Sequence, residues 1–193
     1  MSPEFGSEQP PLIDDDRHPV FDGWENIESL DCADSADDEP RGPINWNLLT
    51  SDEAEVEWLD LNAWVNWLRA TYGLPPTVIP PFWHRHDELV WELSALHQHW
   101  LNAYDPDGSP SAPLGWHRDF ADARNRLREW VSTSGTRLDR DRPTRQATWP
   151  GEAAPQPPAE SVIGDRDADF VQFVINDVAA RRRIQDLVRA RAS

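Results

Sequence analysis

The chain has 193 residues, 38% of them hydrophobic, with 35 acidic and 18 basic side chains and a net charge of −17; this size suits one ordinary domain with tails. The single cysteine, Cys32, excludes an intramolecular disulfide and a cysteine-based zinc site. No apolar run approaches the roughly 20 residues of a membrane-spanning helix, so we predict a cytoplasmic protein without membrane contact.

The acidic charge is concentrated near the N-terminus. Residues 1–60 hold eighteen acids and two arginines, a balance of −16, whereas residues 61–193 have a balance of −1. We interpret residues 1–7 as a cloning scar. Few apolar side chains are present up to residue 43 to offset the entropy of ordering, so we predict a disordered acidic arm over residues 1–43.

The arm contains one amphipathic stretch. Phe21, Trp24 and Ile27 recur at helical spacing among acidic residues, a pattern typical of a segment that folds on a protein partner. Loose packing of these aromatic residues on the body of the protein is the alternative.

Three helices are predicted within a body that spans residues 44–150. The first begins after Thr50, which can cap it, and ends at Gly73 and Pro75. The second is predicted over Phe82–Tyr104 and the third over Ala112–Val131, each with an apolar stripe at helical spacing. Short connections between them favour a small bundle with a core of Trp and Leu.

A Pro-rich linker over residues 151–164 leads to a last helix within residues 165–193, from about Asp165 to Ala190. Acids come first in this helix and arginines last, which suits the helix dipole. Its apolar side chains are candidates for docking a partner protein or a second copy, and packing back onto the body is the alternative. They are Phe170, Val174, Val178, Ile184 and Leu187.

An arginine-rich stretch follows the start of the third helix. Residues 118–149 hold eight Arg against five acids, and arginine next to an aromatic ring can hold phosphates and stack on bases. A surface with local ion pairs is the simpler interpretation, since the excess of positive charge is small. The candidate DNA-binding residues are Arg124, Arg128, Arg137, Arg140, Arg142, Arg145 and Trp149. The acidic arm could cover this surface and so regulate it.

The signals for catalysis are weak. The sequence has no Gly-x-Ser-x-Gly motif, no Gly-rich phosphate loop and no His-x-x-x-His pair. Zinc sites usually need three or four converging ligands, so we predict no metal, no cofactor and no catalytic residue. A metal-dependent enzyme remains an alternative that uses the histidine cluster: His84, His86, His97, His99 and His117.

Residues 61–130 carry three aromatic motifs: Trp64-Val65-Asn66-Trp67-Leu68, Pro81-Phe82-Trp83 and Trp116-His117-Arg118-Asp119-Phe120. In this spacing the chain resembles a group of uncharacterised actinobacterial proteins found on plasmids and integrative elements. The resemblance implies a mobile-element context and supplies no catalytic residues. Exclusive use of Arg over Lys also suits a GC-rich source.

The sequence therefore predicts an all-α protein: a Trp-rich three-helix body, a disordered acidic arm and a separate amphipathic C-terminal helix. The predicted function is that of a non-enzymatic adaptor or regulator that acts through protein–protein contacts in plasmid transfer or maintenance. A DNA-associated protein and a metal-dependent enzyme are the two alternatives.

Overall fold

The structure is a computed structural model that describes residues 42–153 and 159–192. Within these ranges it contains four α-helices: α1 (Ser51–Thr71), α2 (Asp87–Ala103), α3 (Ala112–Thr133) and α4 (Arg166–Ala192). A 3₁₀ turn (Trp83–Arg85) precedes α2, and two short strands, β1 (Arg140–Asp141) and β2 (Ser161–Val162), pair antiparallel. The all-α fold class is confirmed. The predicted arm, with Phe21, Trp24 and Ile27, lies outside the described residues.

Helix α1 begins and ends where its sequence predicts. The Thr50 hydroxyl accepts a hydrogen bond from the backbone N–H of Glu53, and the Glu53 carboxylate accepts one from the Thr50 N–H at 2.7 Å. This capping box satisfies two donors that have no partner within the helix. At the other end Gly73 takes a left-handed φ of 56°, a conformation that glycine adopts without steric cost.

The second predicted helix is shorter than expected at its N-terminus. Residues Trp83–Arg85 form a 3₁₀ turn, and His86 is extended, with φ −125° and ψ 105°, before α2 begins at Asp87. The His86 ring is hydrogen-bonded to Asp141, 2.8 Å away. The predicted helix is therefore interrupted where His86 contacts a residue far along the chain. No local spacing in the sequence indicates this interruption.

The core lies between the four helices and is built on indole and leucine side chains. Trp83 and Trp116 are the largest fully buried side chains, and Leu68, Leu93 and Leu127 are completely buried. Trp46 packs on Trp58 with ring centroids 4.4 Å apart. Because each buried Trp hides roughly 150–250 Å², these rings compensate for the modest aliphatic content of the chain.

The segment between α3 and α4 is held together by backbone pairing between its first part and its last part. Arg140 pairs with Val162 and Asp141 with Ser161, and the Ile163 N–H donates to the Asp139 carbonyl at 2.8 Å. The end of the predicted linker is therefore fixed beside the residues that follow α3.

Helix α4 begins after Asp165, whose carboxylate accepts hydrogen bonds from the backbone N–H groups of Asp167 and Ala168, each at 3.0 Å. It runs antiparallel to α1, as its hydrogen bonds show: Arg166, near its start, bonds to Asn62, whereas Gln185, near its end, bonds to Ser51.

Among the described helices, none has the length and apolarity that a bilayer crossing requires.

Candidate functional site

One face of the N-terminal half of α4 is part of the core. Phe170, Val174 and Val178 are 3%, 7% and 9% exposed, and Phe170 contacts Trp58 and Trp83 edge-on or tilted, with centroids 6.4 and 6.3 Å apart. The sequence left two alternatives for this helix, docking a partner or packing onto the body, and these three side chains pack onto the body. They are occupied within the chain and are not presented to a partner.

Polar contacts fix the middle of α4. The Trp58 indole N–H donates to the Asp177 carboxylate at 3.0 Å, and Arg181 donates to the same carboxylate at 2.7 Å. Arg181 also donates to the carbonyls of Trp46 and Leu49 at 2.8 and 3.1 Å. This half-buried network holds the helix against the segment that precedes α1.

The C-terminal end of α4 extends beyond these contacts. Ser51 bonds to Gln185 at 3.0 Å, and Arg182 lies 3.2 Å from Asp52. Around and after this point Ile184, Leu187 and Val188 are 61%, 61% and 62% exposed. With helical spacing of three and four residues they share one face. We call Ile184, Leu187 and Val188 the α4 end patch.

Arginines surround the α4 end patch. Residues 181–191 hold five Arg and one Asp, a balance of +4, although Arg181 and Arg182 are paired with Asp177 and Asp52. Arg189 lies 3.8 Å from Asp186 on the same helix. The patch is therefore an apolar stripe with arginines on either side of it in the sequence. The sequence analysis predicted two members of this patch, Ile184 and Leu187. It missed Val188, although the i+4 spacing between Ile184 and Val188 indicates that both lie on one helix face.

The histidines do not converge. The His84 Nε2 lies 2.9 Å from Asp169, whereas His86 contacts Asp141 through Nε2 and Thr144 through Nδ1, at 2.8 and 2.9 Å. The other three lie along α2 and α3: His97 stacks on Trp64, His99 contacts Asp119, and His117 lies edge-on to Trp116. In residues 42–153 and 159–192 no three His, Cys, Asp or Glu side chains are placed to hold a metal ion.

His84 and His86 connect separate parts of the chain instead. Burial of the His84 ring lowers its pKa to about 4, despite the nearby Asp169 carboxylate. Burial acts to raise the pKa of Asp169, but hydrogen bonds from Arg85 and His84 outweigh it and hold that pKa below its usual value. The sequence did not identify Asp169 or Asp141 as buried partners, since each lies at least 55 residues from its histidine.

The arginine-rich stretch is mostly paired. On α3, Arg126 forms a bidentate pair with Glu92, Arg128 donates to Asn125, and the Arg124 guanidinium lies 5.4 Å from the centre of the Phe120 ring. After α3, Arg140 pairs with Asp139 and Glu160. Three of the seven predicted DNA-binding residues, Arg124, Arg128 and Arg140, therefore have local partners.

Four of those candidates lie in the irregular segment after α3 and differ from the rest. The Arg142 side chain occupies the space beside Gly135, where a Cβ would overlap it. Arg137 and Arg145 are exposed and form no ion pair with any residue that the structure describes, and Trp149 is 72% exposed.

Comparisons of the chain with protein-family models, with curated proteins and with solved structures each find no match.

Proposed function

We propose that this chain is a non-enzymatic adaptor or regulatory protein, and that the α4 end patch is the surface that contacts its partner protein. The single observation that carries the proposal is the division of α4. One face of its first half is buried through Phe170, Val174 and Val178. Ile184, Leu187 and Val188, further along the same helix, are more than 60% exposed. Three adjacent aliphatic side chains on a rigid helix can supply a docking face.

The charge of the helix end indicates the chemistry of the partner. A balance of +4 over residues 181–191 favours a partner whose apolar groove has carboxylates at its rim. Self-association of this end is disfavoured, because two copies would bring arginines of like charge together. We therefore propose that this end of the helix associates with a different protein. Sedimentation of the full chain tests for homo-oligomers, which we do not expect.

Affinity capture tests the proposal with two matched variants. The full chain and its Ile184→Glu/Leu187→Glu variant are immobilised and exposed to a lysate of the source cells. The control is Val56→Glu/Leu59→Glu, which changes two aliphatic side chains on α1 that are 55% and 54% exposed. We expect one protein to be retained by the wild type and the control and lost from the α4 variant. Equal retention by all three would refute the assignment of the surface.

The biological setting that we propose is an actinobacterial mobile element, with a role in plasmid transfer or maintenance. Support for it comes from the aromatic spacing of residues 61–130 and from the use of Arg for every basic side chain other than His.

DNA association is a second candidate, and a specific observation favours it. Arg137, Arg145 and Trp149 are each exposed in the segment after α3, and neither arginine has a carboxylate partner in the described residues. If both arginines contact phosphates, Arg137→Gln/Arg145→Gln reduces the slope of log K against log salt by about 1.8. Fluorescence anisotropy with a duplex oligonucleotide measures this slope, and Arg118→Gln, at an exposed arginine of α3 paired with Asp119 and outside the candidate set, is the control. Absence of binding, or an unchanged slope, would remove this candidate.

A further inference from the structure

A buried polar network joins the start of α2 to the segment that follows α3. The His86 ring is fully buried, and its Nε2 lies 2.8 Å from a carboxylate oxygen of Asp141. Its Nδ1 lies 2.9 Å from the Thr144 hydroxyl, which in turn donates to the Glu88 carboxylate at 2.6 Å. We call these four side chains, His86, Asp141, Thr144 and Glu88, the His86 clasp.

The three hydrogen bonds of the His86 clasp need three donated protons. A neutral imidazole supplies one and the Thr144 hydroxyl supplies one, whereas ionised carboxylates only accept. Because the Thr144 proton is directed to Glu88, Nδ1 of His86 has to donate to the Thr144 oxygen. The Nε2 atom then has to donate to Asp141. The clasp is therefore complete only when it holds one proton more than neutral His86 and Thr144 supply.

The surroundings of the ring favour a positive charge on it. Imidazole is more basic than either carboxylate, so the extra proton resides on His86. Burial opposes a charged ring, but Asp141 accepts one N–H and a Glu88 oxygen lies 3.8 Å from the other nitrogen. Arg85, on the 3₁₀ turn, also interacts with Asp141, although its guanidinium donates to Asp169 at 2.8 Å. Two carboxylates thus compensate the one charge of the imidazolium.

The clasp attaches the β1–β2 pair to α2. Asp141 lies in β1, which pairs with β2, and the Ile163 N–H donates to the Asp139 carbonyl beside this pair. When the extra proton leaves, one of the three contacts of the clasp becomes a contact between two acceptors. A buried acceptor without a donor is costly, so the attachment is weaker when His86 is neutral.

From this arrangement we propose that the His86 clasp is a pH-sensitive switch. With His86 protonated, it holds the β1–β2 pair on the start of α2, and loss of the proton loosens this attachment. Because the folded clasp binds the proton more tightly than the unfolded chain does, its stabilisation is greatest at low pH and is lost as the pH rises. The switch is independent of the adaptor function proposed above.

The charge of the His86 ring is the first measurement. Long-range ¹H–¹⁵N spectra of the full chain observe the rings of its six histidines, and the signal lost in His86→Gln assigns that of His86. An unperturbed histidine is mostly neutral at pH 7, whereas we expect both nitrogens of His86 to carry a proton at this pH. A neutral His86 ring in the wild type would overturn the proposal.

Glu88→Gln separates the proton requirement from a merely structural role. Its amide N–H can donate to the Thr144 oxygen and so supply the third proton. The Thr144 hydroxyl can then donate to Nδ1, and a neutral His86 completes all three hydrogen bonds. We therefore expect a neutral ring at pH 7 in this variant with the attachment retained. The control is Glu92→Gln, which removes another carboxylate of α2, one paired with Arg126, and it should behave as the wild type.

Amide hydrogen exchange at Ile163, corrected for the intrinsic effect of pH, measures the attachment. An isolated two-stranded pair is marginally stable in water, so its protection depends on the clasp. From pH 7 to about pH 9, protection should fall about tenfold or more in the wild type and in Glu92→Gln, because a charge-assisted hydrogen bond is lost. It should stay constant in Glu88→Gln. Constant protection in the wild type, or the same fall in Glu88→Gln, would overturn the proposal and leave the adaptor function unaffected.

Discussion

Replacement of His84 by glutamine should remove a defined part of the pH dependence of stability. The His84 side chain is fully buried, with its ring edge-on to Phe170 and Phe173 at 5.3 and 5.2 Å. Its pKa falls from 6.5 to about 4, chiefly because burial disfavours the charged ring. His84 is therefore neutral in the folded chain over a pH range in which the unfolded chain is protonated.

The sign and size of the effect follow from this difference. Below pH 6.5 the unfolded state binds a proton that the folded state does not, so the free energy of unfolding falls as the pH is lowered. Since one pKa unit corresponds to about 1.4 kcal/mol, the loss is about 2 kcal/mol at pH 5 and approaches about 3 kcal/mol near pH 4 and below. Asp169 contributes little in this window, because its pKa is already below 3.8.

Urea unfolding followed by tryptophan fluorescence between pH 4 and 7 measures the effect. The stability advantage of the wild type over His84→Gln should shrink by about 3 kcal/mol from pH 7 to pH 4. The control Leu114→Gln, at a non-titratable side chain of α3 that is 74% exposed, should differ from the wild type by an amount that does not change with pH. A wild-type advantage that stays constant, or that grows at low pH, would refute the reasoning and indicate a charged His84 paired with Asp169.

Three other changes test the helices directly. Thr50→Ala removes the capping box of α1 and should lower the free energy of unfolding by about 1 kcal/mol in urea titration; an unchanged midpoint would contradict the role of the cap. Leu68→Ala, at a fully buried site, should cost about 2–5 kcal/mol by the same assay, and a cost below 1 kcal/mol would mean that the core is packed otherwise. Leu187→Glu, 61% exposed, should change stability by less than about 0.5 kcal/mol; a larger loss in thermal unfolding would place Leu187 in a buried contact.

Much of the fold was predictable because helix signals are local. The Thr50 cap, the prolines after α1 and the apolar stripes predict α1 and α3 within a few residues. The exception is the start of α2, where His86 is extended and bonded to Asp141. A contact between residues 55 positions apart leaves no periodic signal in the sequence.

The two ends of α4 show why the candidate surface was only half predictable. Phe170 and Leu187 look alike in an amphipathic pattern, yet one is 3% and the other 61% exposed. The difference arises because α1 begins at Ser51 and so covers α4 only as far as Gln185. Where one helix ends relative to another is set by tertiary packing, which hydrophobic spacing does not encode.

The most direct test of the central claim is photocross-linking from the α4 end patch. A photoreactive phenylalanine is placed at residue 187 and, as a control, at residue 114, where Leu114 is 74% exposed on α3. If the patch contacts the partner, irradiation in the source cells should give one discrete adduct with another protein from residue 187 and none from residue 114. The same adducts from both positions, or an adduct only with a second copy of this chain, would contradict the account.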